Sequence, residues 1–250
     1  IGLNIDGKFL NERKEVSLVW PFKDCVLEGG MTKEDQKRNE IFFNEILAQD
    51  EIDRLLDPKV LTNFKRVTAK GEEKVTDFKR DKDGIIRENL IIKGNNLLAL
   101  HSLKKEFQDK VKLIYIDPPY NTGGAMEIFT YNNNFNHSTW LTFMKNRLEV
   151  ARDFLREDGF VAITIDHEEL FYVGALADEI FGRENRAGIV SIIINPKGRQ
   201  NPRFFSAIGE YMLVYAKNVD IGRFRQVVLD EDVSAKFDLE DEEGKFRYEN

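Results

Sequence analysis

Short apolar runs alternate along this chain with stretches whose apolar residues return every three or four positions. Val111 to Ile116 is the clearest run and predicts a buried strand. Before it, Leu97, Leu100, Leu103 or Lys104, and Phe107 recur at helical spacing. After it, Leu141, Met144, Leu148, Ala151 and Leu155 form one stripe of a helix that Ser138 is placed to cap. The turn Glu157-Asp158-Gly159 leads into a strand over Phe160 to Ile165. Asp166 and Glu169 then stand at capping-box spacing ahead of a helix that turns Leu170, Val173, Ala177 and Ile180 inward. Ile189 to Ile194 and Tyr211 to Ala216 read as two further strands, and Leu90-Ile91-Ile92 as a short one broken by Gly94-Asn95-Asn96. Strands alternating with helices predict an α/β body over residues 85–218, on a mainly parallel sheet covered on both faces.

Residues 1–84 read as a mostly helical region. Trp20-Pro21-Phe22 is an aromatic turn and Gly29-Gly30 a break. Thr32 opens a helix signal, with Asp35 at capping-box spacing and Ile41, Phe42, Phe43, Ile46 and Leu47 as its apolar face. Asp57-Pro58 has the form of an N-cap followed by proline in the first turn. Lys70 to Asp83 is charged and aperiodic, the pattern of a flexible link.

Composition narrows the class. A 42% hydrophobic content over 250 residues allows one large domain, or a domain with an appendage. Cys25 is the single cysteine, so an internal disulfide is excluded; the pattern suits a core thiol in a reducing compartment. No apolar run approaches membrane-spanning length and no secretory leader opens the chain, so the expectation is a cytoplasmic protein with no membrane partner. The chain opens on Ile1 rather than Met, and its natural start is expected upstream. Net charge is −7, but eight acids opposed only by Lys236 lie between Asp230 and Glu243, leaving the other residues neutral. A neutral body neither excludes nor requires a nucleic-acid partner.

The chemistry concentrates at Asp117-Pro118-Pro119-Tyr120, directly after the predicted strand. Two prolines donate no backbone hydrogen bonds and resist helix, so the chain turns stiffly there. A carboxylate, an open carbonyl and an aromatic ring are thereby gathered at the carboxyl edge of a sheet, where open α/β sheets bind ligands. Residues 121–136 are rich in Asn and Gly, with Phe129, Tyr131 and Phe135 interleaved; these rings either close over a ligand or tuck the loop onto the core. Lys197, Arg199 and Arg203, beside Phe204 and Phe205, either meet phosphates and bases or form a solvated loop. Asp166-His167 ends a strand at the same edge, where capping already accounts for Asp166. His101 and His137 have no partner spacing for a metal site, and no metal is expected.

The run Ile114-Tyr115-Ile116-Asp117-Pro118-Pro119-Tyr120-Asn121-Thr122-Gly123 resembles the β-group adenine-N6 DNA methyltransferases, especially the modification subunits of type III restriction–modification systems. Trp20 to Gly30, Asp57 to Asn63, Trp140 to Leu148 and Glu210 to Asn218 resemble other segments of that family, in the same order. The resemblance implies a Rossmann-like S-adenosylmethionine-dependent methyltransferase sheet, partial and in permuted order, with a helical N-terminal region. Residues 219–250 would begin a target-recognition or insertion region. It also implies transfer of a methyl group from S-adenosylmethionine to a flipped adenine in double-stranded DNA, alongside a restriction subunit and a second modification subunit. Asp117, Pro118, Pro119 and Tyr120 would be catalytic, and Gly94, Asn95 and Asp117 would bind cofactor. Asn121, Phe129, Lys197, Arg199 and Arg203 would contact nucleic acid.

Two departures qualify the resemblance. Family members often carry an acidic residue where Asn95 follows Gly94, and the family's Phe-x-Gly-x-Gly cofactor segment has no counterpart here. The chain is therefore expected to stop before that segment and to bind S-adenosylmethionine poorly by itself. Cytosine-N4 or RNA-adenine transfer remain alternatives, the former disfavoured because those enzymes more often begin the motif with Ser. So does a DNA-recognition and assembly module that is inactive as a fragment.

Overall fold

A computed structural model describes residues 4–5, 8–9, 18–27, 42–121, 137–194, 209–224, 239–241 and 244–246. Two-residue strands β1 (Asn4–Ile5) and β2 (Lys8–Phe9) pair with each other, as do β3 (Cys25–Leu27) and β4 (Phe42–Asn44). Helix α1 (Glu45–Leu56) precedes a hairpin of β5 (Lys65–Thr68) and β6 (Gly71–Lys74). The body runs α2 (Asn96–Phe107), β7 (Val111–Ile116), α3 (His137–Phe154), β8 (Leu155–Ile165), α4 (Leu170–Phe181), β9 (Arg186–Ile193) and β10 (Gly209–Ala216). A last hairpin joins β11 (Leu239–Asp241) to β12 (Gly244–Phe246).

The sheet that carries the site has the order β7-β8-β10-β9. β7 pairs with β8 in parallel, whereas β10 runs antiparallel to both β8 and β9. The expected α/β class holds, with one reversed strand inserted where a mainly parallel sheet was expected. Apolar alternation reports which face a residue occupies but not the direction of its strand.

One face is fully dressed. Val161, Ile163 and Ile165 of β8 and Leu213 and Tyr215 of β10 pack under Trp140, Phe143, Met144 and Leu148 of α3 and Val173, Leu176 and Ala177 of α4. The predicted α3 stripe is buried throughout, with Leu155 opening β8 rather than closing the helix. Truncating Leu148 or Ile163, both fully buried, would cost roughly 2–5 kcal/mol through lost transfer energy and the cavity left behind. The other face is covered only in part: Phe224 stacks on Phe160 at 4.3 Å, while Leu113 and Tyr115 remain exposed on β7. Two-sided cover and a buried β7 are thus corrected. β7 is one edge strand of this sheet, and Leu90–Ile92 forms no strand beside it; Ile91 is fully exposed.

Several local expectations reverse. Residues 31–41, where the Thr32 helix signal falls, lie outside the described residues, but Phe42–Asn44 is a strand and the helix begins at Glu45. The Phe42-Phe43 pair suits an extended chain already partnered by β3. Asp57-Pro58 ends α1 instead of starting a helix: the Asp57 amide donates to Asp53 O at 2.8 Å, and Pro58 then blocks continuation. Residues 65–74 fold as a hairpin, where a flexible link was expected from Lys70, and opposite charges face each other across it. Lys65 meets Glu72, and Arg66 meets Glu73 and, from outside the hairpin, Glu88. Exposed pairs of this kind are worth little singly. Ser138 lies inside α3, which begins at His137, and so does not cap it.

The N-terminal elements sit on α3. Trp20 Nε1 donates to Thr142 Oγ1 at 3.0 Å, and Asn146 Nδ2 donates to the Cys25 carbonyl at 3.2 Å. Cys25 is a buried thiol in no disulfide, as a core role requires. Val26, Ile52 and Leu97 form a small second core that joins β3, α1 and α2.

Candidate active site

β7 delivers Asp117 to the carboxyl edge of the sheet, where its side chain is exposed while Pro118 and Pro119 are buried. The neighbouring strand sets the carboxylate. Thr164 of β8, buried at its own strand end, lies within donor distance of Asp117 Oδ1 at 3.0 Å and of the Ile116 carbonyl at 3.2 Å. One hydroxyl hydrogen is thus shared between the last residue of β7 and the motif that follows.

The prolines are pinned from α3. Trp140 is wholly buried, and its indole Nε1 donates to the Pro119 carbonyl at 2.7 Å. Among the described residues no hydrogen bond reaches the Pro118 carbonyl. Two successive carbonyls therefore have different fates: that of Pro119 is spent on structure, and that of Pro118 stays available beside Asp117.

Tyr120 is half-buried against the main core, and its hydroxyl donates to Glu210 Oε2 at 2.9 Å. Burial holds the phenol well above its ordinary range; the Thr164 hydroxyl pulls the other way, and the Glu210 and Asp117 carboxylates add to the rise. Glu210 arrives here because β10 starts tightly against β9. A Cβ on Gly209 would collide with the Ile192 carbonyl, so only glycine fits that approach.

Asn121 closes the motif with φ of 58°, in the left-handed region that Asn tolerates better than most residues. Its Nδ2 donates to Glu169 Oε1 at 2.6 Å, and His137 Nδ1 lies 2.7 Å from the same oxygen. Glu169 is completely buried, and among the described residues its Oε2 has no hydrogen-bond partner. Desolvation raises its carboxyl above the ordinary glutamate value, while the bonds from Asn121 and His137 lower it.

The capping-box expectation therefore divides. Asp166 Oδ1 does accept a backbone amide, that of Glu168 at 3.0 Å, so its structural role stands. Glu169 makes no side-chain capping bond to α4, although it occupies the N-cap position, and turns into the site instead. Thr164, Trp140, Glu210 and Glu169 are the residues that sequence reasoning missed. Each is fixed by a contact that bridges distant positions and leaves no local spacing signal.

The expected cofactor residues lie in a less finished part of the fold. Asn95 is the N-cap of α2, its side-chain oxygen accepting the Leu98 amide at 3.2 Å. Gly94 has φ of 157° and open space where a Cβ would stand. The residues present fit S-adenosylmethionine on one side only: open backbone at Gly94 and the exposed Asp117 carboxylate suit a polar cation, but the Asn95 oxygen already serves the helix. Phe129, Lys197, Arg199 and Arg203 lie outside the described residues.

A family model described as DNA methylase matches residues 111–247. The "Probable type III restriction-modification enzyme HindVI Mod subunit" of Haemophilus influenzae is 40% identical over 279 residues, covering 87% of this chain and 37% of that protein. The type III restriction-modification enzyme EcoPI Mod subunit of Escherichia phage P1 is 35% identical over 217 residues, covering 76% and 33%. The chain thus spans about a third of the length of the curated relatives it matches. Among solved structures, the cytosine-N4-specific PvuII DNA methyltransferase aligns at TM-score 0.36 and 14% identity, over 48% of this chain and 47% of that one.

Proposed function

This chain belongs to the DNA methylase family whose model spans residues 111–247, and from that premise we propose that it is part of an adenine-N6 DNA methyltransferase, the modification subunit of a type III restriction–modification system. The observation that carries the reading is the acceptor pair at the end of β7: an Asp117 carboxylate held on one oxygen by Thr164, beside a Pro118 carbonyl that no hydrogen bond reaches among the described residues.

An exocyclic adenine amine is a poor nucleophile because its lone pair is delocalised into the ring. Accepting both amino hydrogens, one on Asp117 and one on the Pro118 carbonyl, localises that lone pair on nitrogen. S-adenosylmethionine, when bound, supplies the electrophilic methyl group. The amine becomes acidic once methylated, so Asp117 need only accept a hydrogen bond beforehand and receive a proton afterwards. The amine is inaccessible inside paired DNA, and the base must therefore be extruded at a cost of a few kcal/mol. Stacking on Tyr120 offsets about 1–3 kcal/mol of that. The Glu210 bond at the ring's tip fixes the plane that does the stacking.

The partners follow from the same reading: double-stranded DNA, a restriction subunit and a second modification subunit, in the cytoplasm. Exposed Ile189, Val190, Ile193 and Ile194, on and just beyond the edge strand β9, support a protein neighbour there. No described helix is long and apolar enough to cross a membrane. Residues 1–84 and 219–250 we assign to an N-terminal region and to the start of target recognition. The test is tritiated-methyl incorporation into DNA by the full-length protein and by Asp117→Ala, read beside a gel shift. Loss of incorporation with DNA binding retained is expected; normal incorporation by the variant removes Asp117 from the mechanism.

A further inference from the structure

The Glu169 carboxylate is used unequally. Among the described residues both of its side-chain bonds fall on Oε1, from Asn121 at 2.6 Å and His137 at 2.7 Å, while Oε2 is buried without a partner. Burying a carboxylate is costly, and a residue placed only to begin a helix would leave it in water. Here the side chain is wholly inaccessible and makes no capping bond to α4.

Its two partners are informative. Asn121 is the residue after Tyr120 and holds a left-handed backbone, a conformation that persists in a non-glycine residue where its surroundings impose it. His137 is the first residue of α3, and its ring lies 5.2 Å from that of Tyr172 on α4. A single oxygen at the start of α4 therefore joins the end of the Asp117–Tyr120 motif to the start of the helix that supplies Trp140. Asp166 orients it, by taking the Glu168 amide and turning the chain just before Glu169.

We infer that Glu169 is a positioning residue: by accepting from Asn121 and His137 on one oxygen, it fixes the peptide that carries Asp117 and Pro118 in register with α3. Trp140 holds that peptide from the helix side and Glu169 holds it from the far end. Neither residue need touch the reacting base. Releasing Asn121 lets the backbone relax toward ordinary φ and moves the acceptor pair. That the clamp governs methyl transfer rests on the function proposed above; the clamp itself does not.

Full-length wild-type protein, Glu169→Ala, Glu169→Gln and Asn121→Ala are compared by amide hydrogen exchange and by steady-state methyl transfer. Glu169→Ala is expected to speed exchange severalfold in peptides covering 113–121 and 137–144 together, with α1 unchanged, and Glu169→Gln to restore much of the protection because it keeps an acceptor oxygen. Loss of registration should lower kcat by about 10- to 100-fold while KM for DNA and cofactor moves less than about threefold. Asn121→Ala, which removes one donor and leaves the buried carboxylate in place, should reproduce the kcat loss should Glu169→Ala fold poorly. Unchanged exchange in both peptides overturns the clamp, and faster exchange with unchanged kcat overturns its positioning role. Faster exchange in a wild-type background that transfers no methyl group upholds the clamp and overturns the methyltransferase reading instead.

Discussion

Thr164 and Asp117 stand on neighbouring parallel strands, 47 residues apart in sequence, with hydroxyl and carboxylate oxygens 3.0 Å apart. The bond orients a carboxylate that stands exposed at the sheet edge. It also leaves the second carboxylate oxygen for a ligand.

Thr164→Val keeps the shape of the side chain and removes the donor. A hydrogen bond to a charged group is worth about 1.5–3 kcal/mol, and with Asp117 free to turn, methyl transfer by the full-length protein should fall by roughly tenfold or more. Thr164→Ser should retain most of the rate. Equal rates for Val and Ser variants would show that the hydroxyl does not orient Asp117.

Trp140→Phe strips the donor from the Pro119 carbonyl in a fully buried site. An orphaned buried acceptor costs about 1–3 kcal/mol, and the smaller ring adds a cavity. Urea unfolding should show a lower midpoint with an unchanged slope. A midpoint equal to wild type would mean that the Pro119 carbonyl finds another donor.

Glu169 should make stability depend on pH. Burial raises its folded-state pKa above the ordinary 4.5, so its contribution is complete below that value and is lost as pH climbs through the raised one. Glu169→Gln imitates the protonated form. Between pH 4 and pH 8 its melting temperature should first match wild type and then exceed it once pH has climbed through the raised value. A gap that is constant across that range would remove Glu169 titration from the account.

Tyr120→Phe and Tyr120→Ala separate the hydroxyl from the ring. The first loses the Glu210 bond and should change turnover by less than about tenfold. The second loses the stacking surface, worth about 1–3 kcal/mol per base, and should weaken binding to DNA carrying an abasic site opposite the target by far less than it slows methylation of intact duplex. Equal losses for both variants would point to the hydroxyl as the working group.

The core stripes of α3 and α4 and the strands β8 and β10 were legible because burial writes apolar residues directly into them. The end of β7 just ahead of Asp117-Pro118-Pro119 was legible for an equally local reason, since prolines cannot continue its ladder. Strand direction was not: nothing in Tyr211 to Ala216 says that β10 runs backwards between β8 and β9. Asp57-Pro58 carried the composition of a helix start and of a helix stop alike, and only the packing of α1 decides between them. Glu169 was the most instructive loss. Its spacing to Asp166 offered a sufficient local explanation, while the contacts that use it come from 48 and 32 residues away. Thr164 lay concealed inside an apolar strand, where a hydroxyl passes for an ordinary β-former.

These 250 residues contain two tryptophans, and both indoles are hydrogen-bonded to α3 or from it: Trp20 to Thr142, Trp140 to the Pro119 carbonyl. The site thus carries its own optical reporter. Any ligand that shifts the Pro118–Pro119 backbone must lengthen or bend the bond from Trp140, changing the emission wavelength of an indole that water never reaches. Trp20, with Lys23 5.0 Å from its ring centre, provides an internal reference bonded to the same helix from outside it. Occupancy of the catalytic edge becomes readable by intrinsic fluorescence, with no label and no turnover.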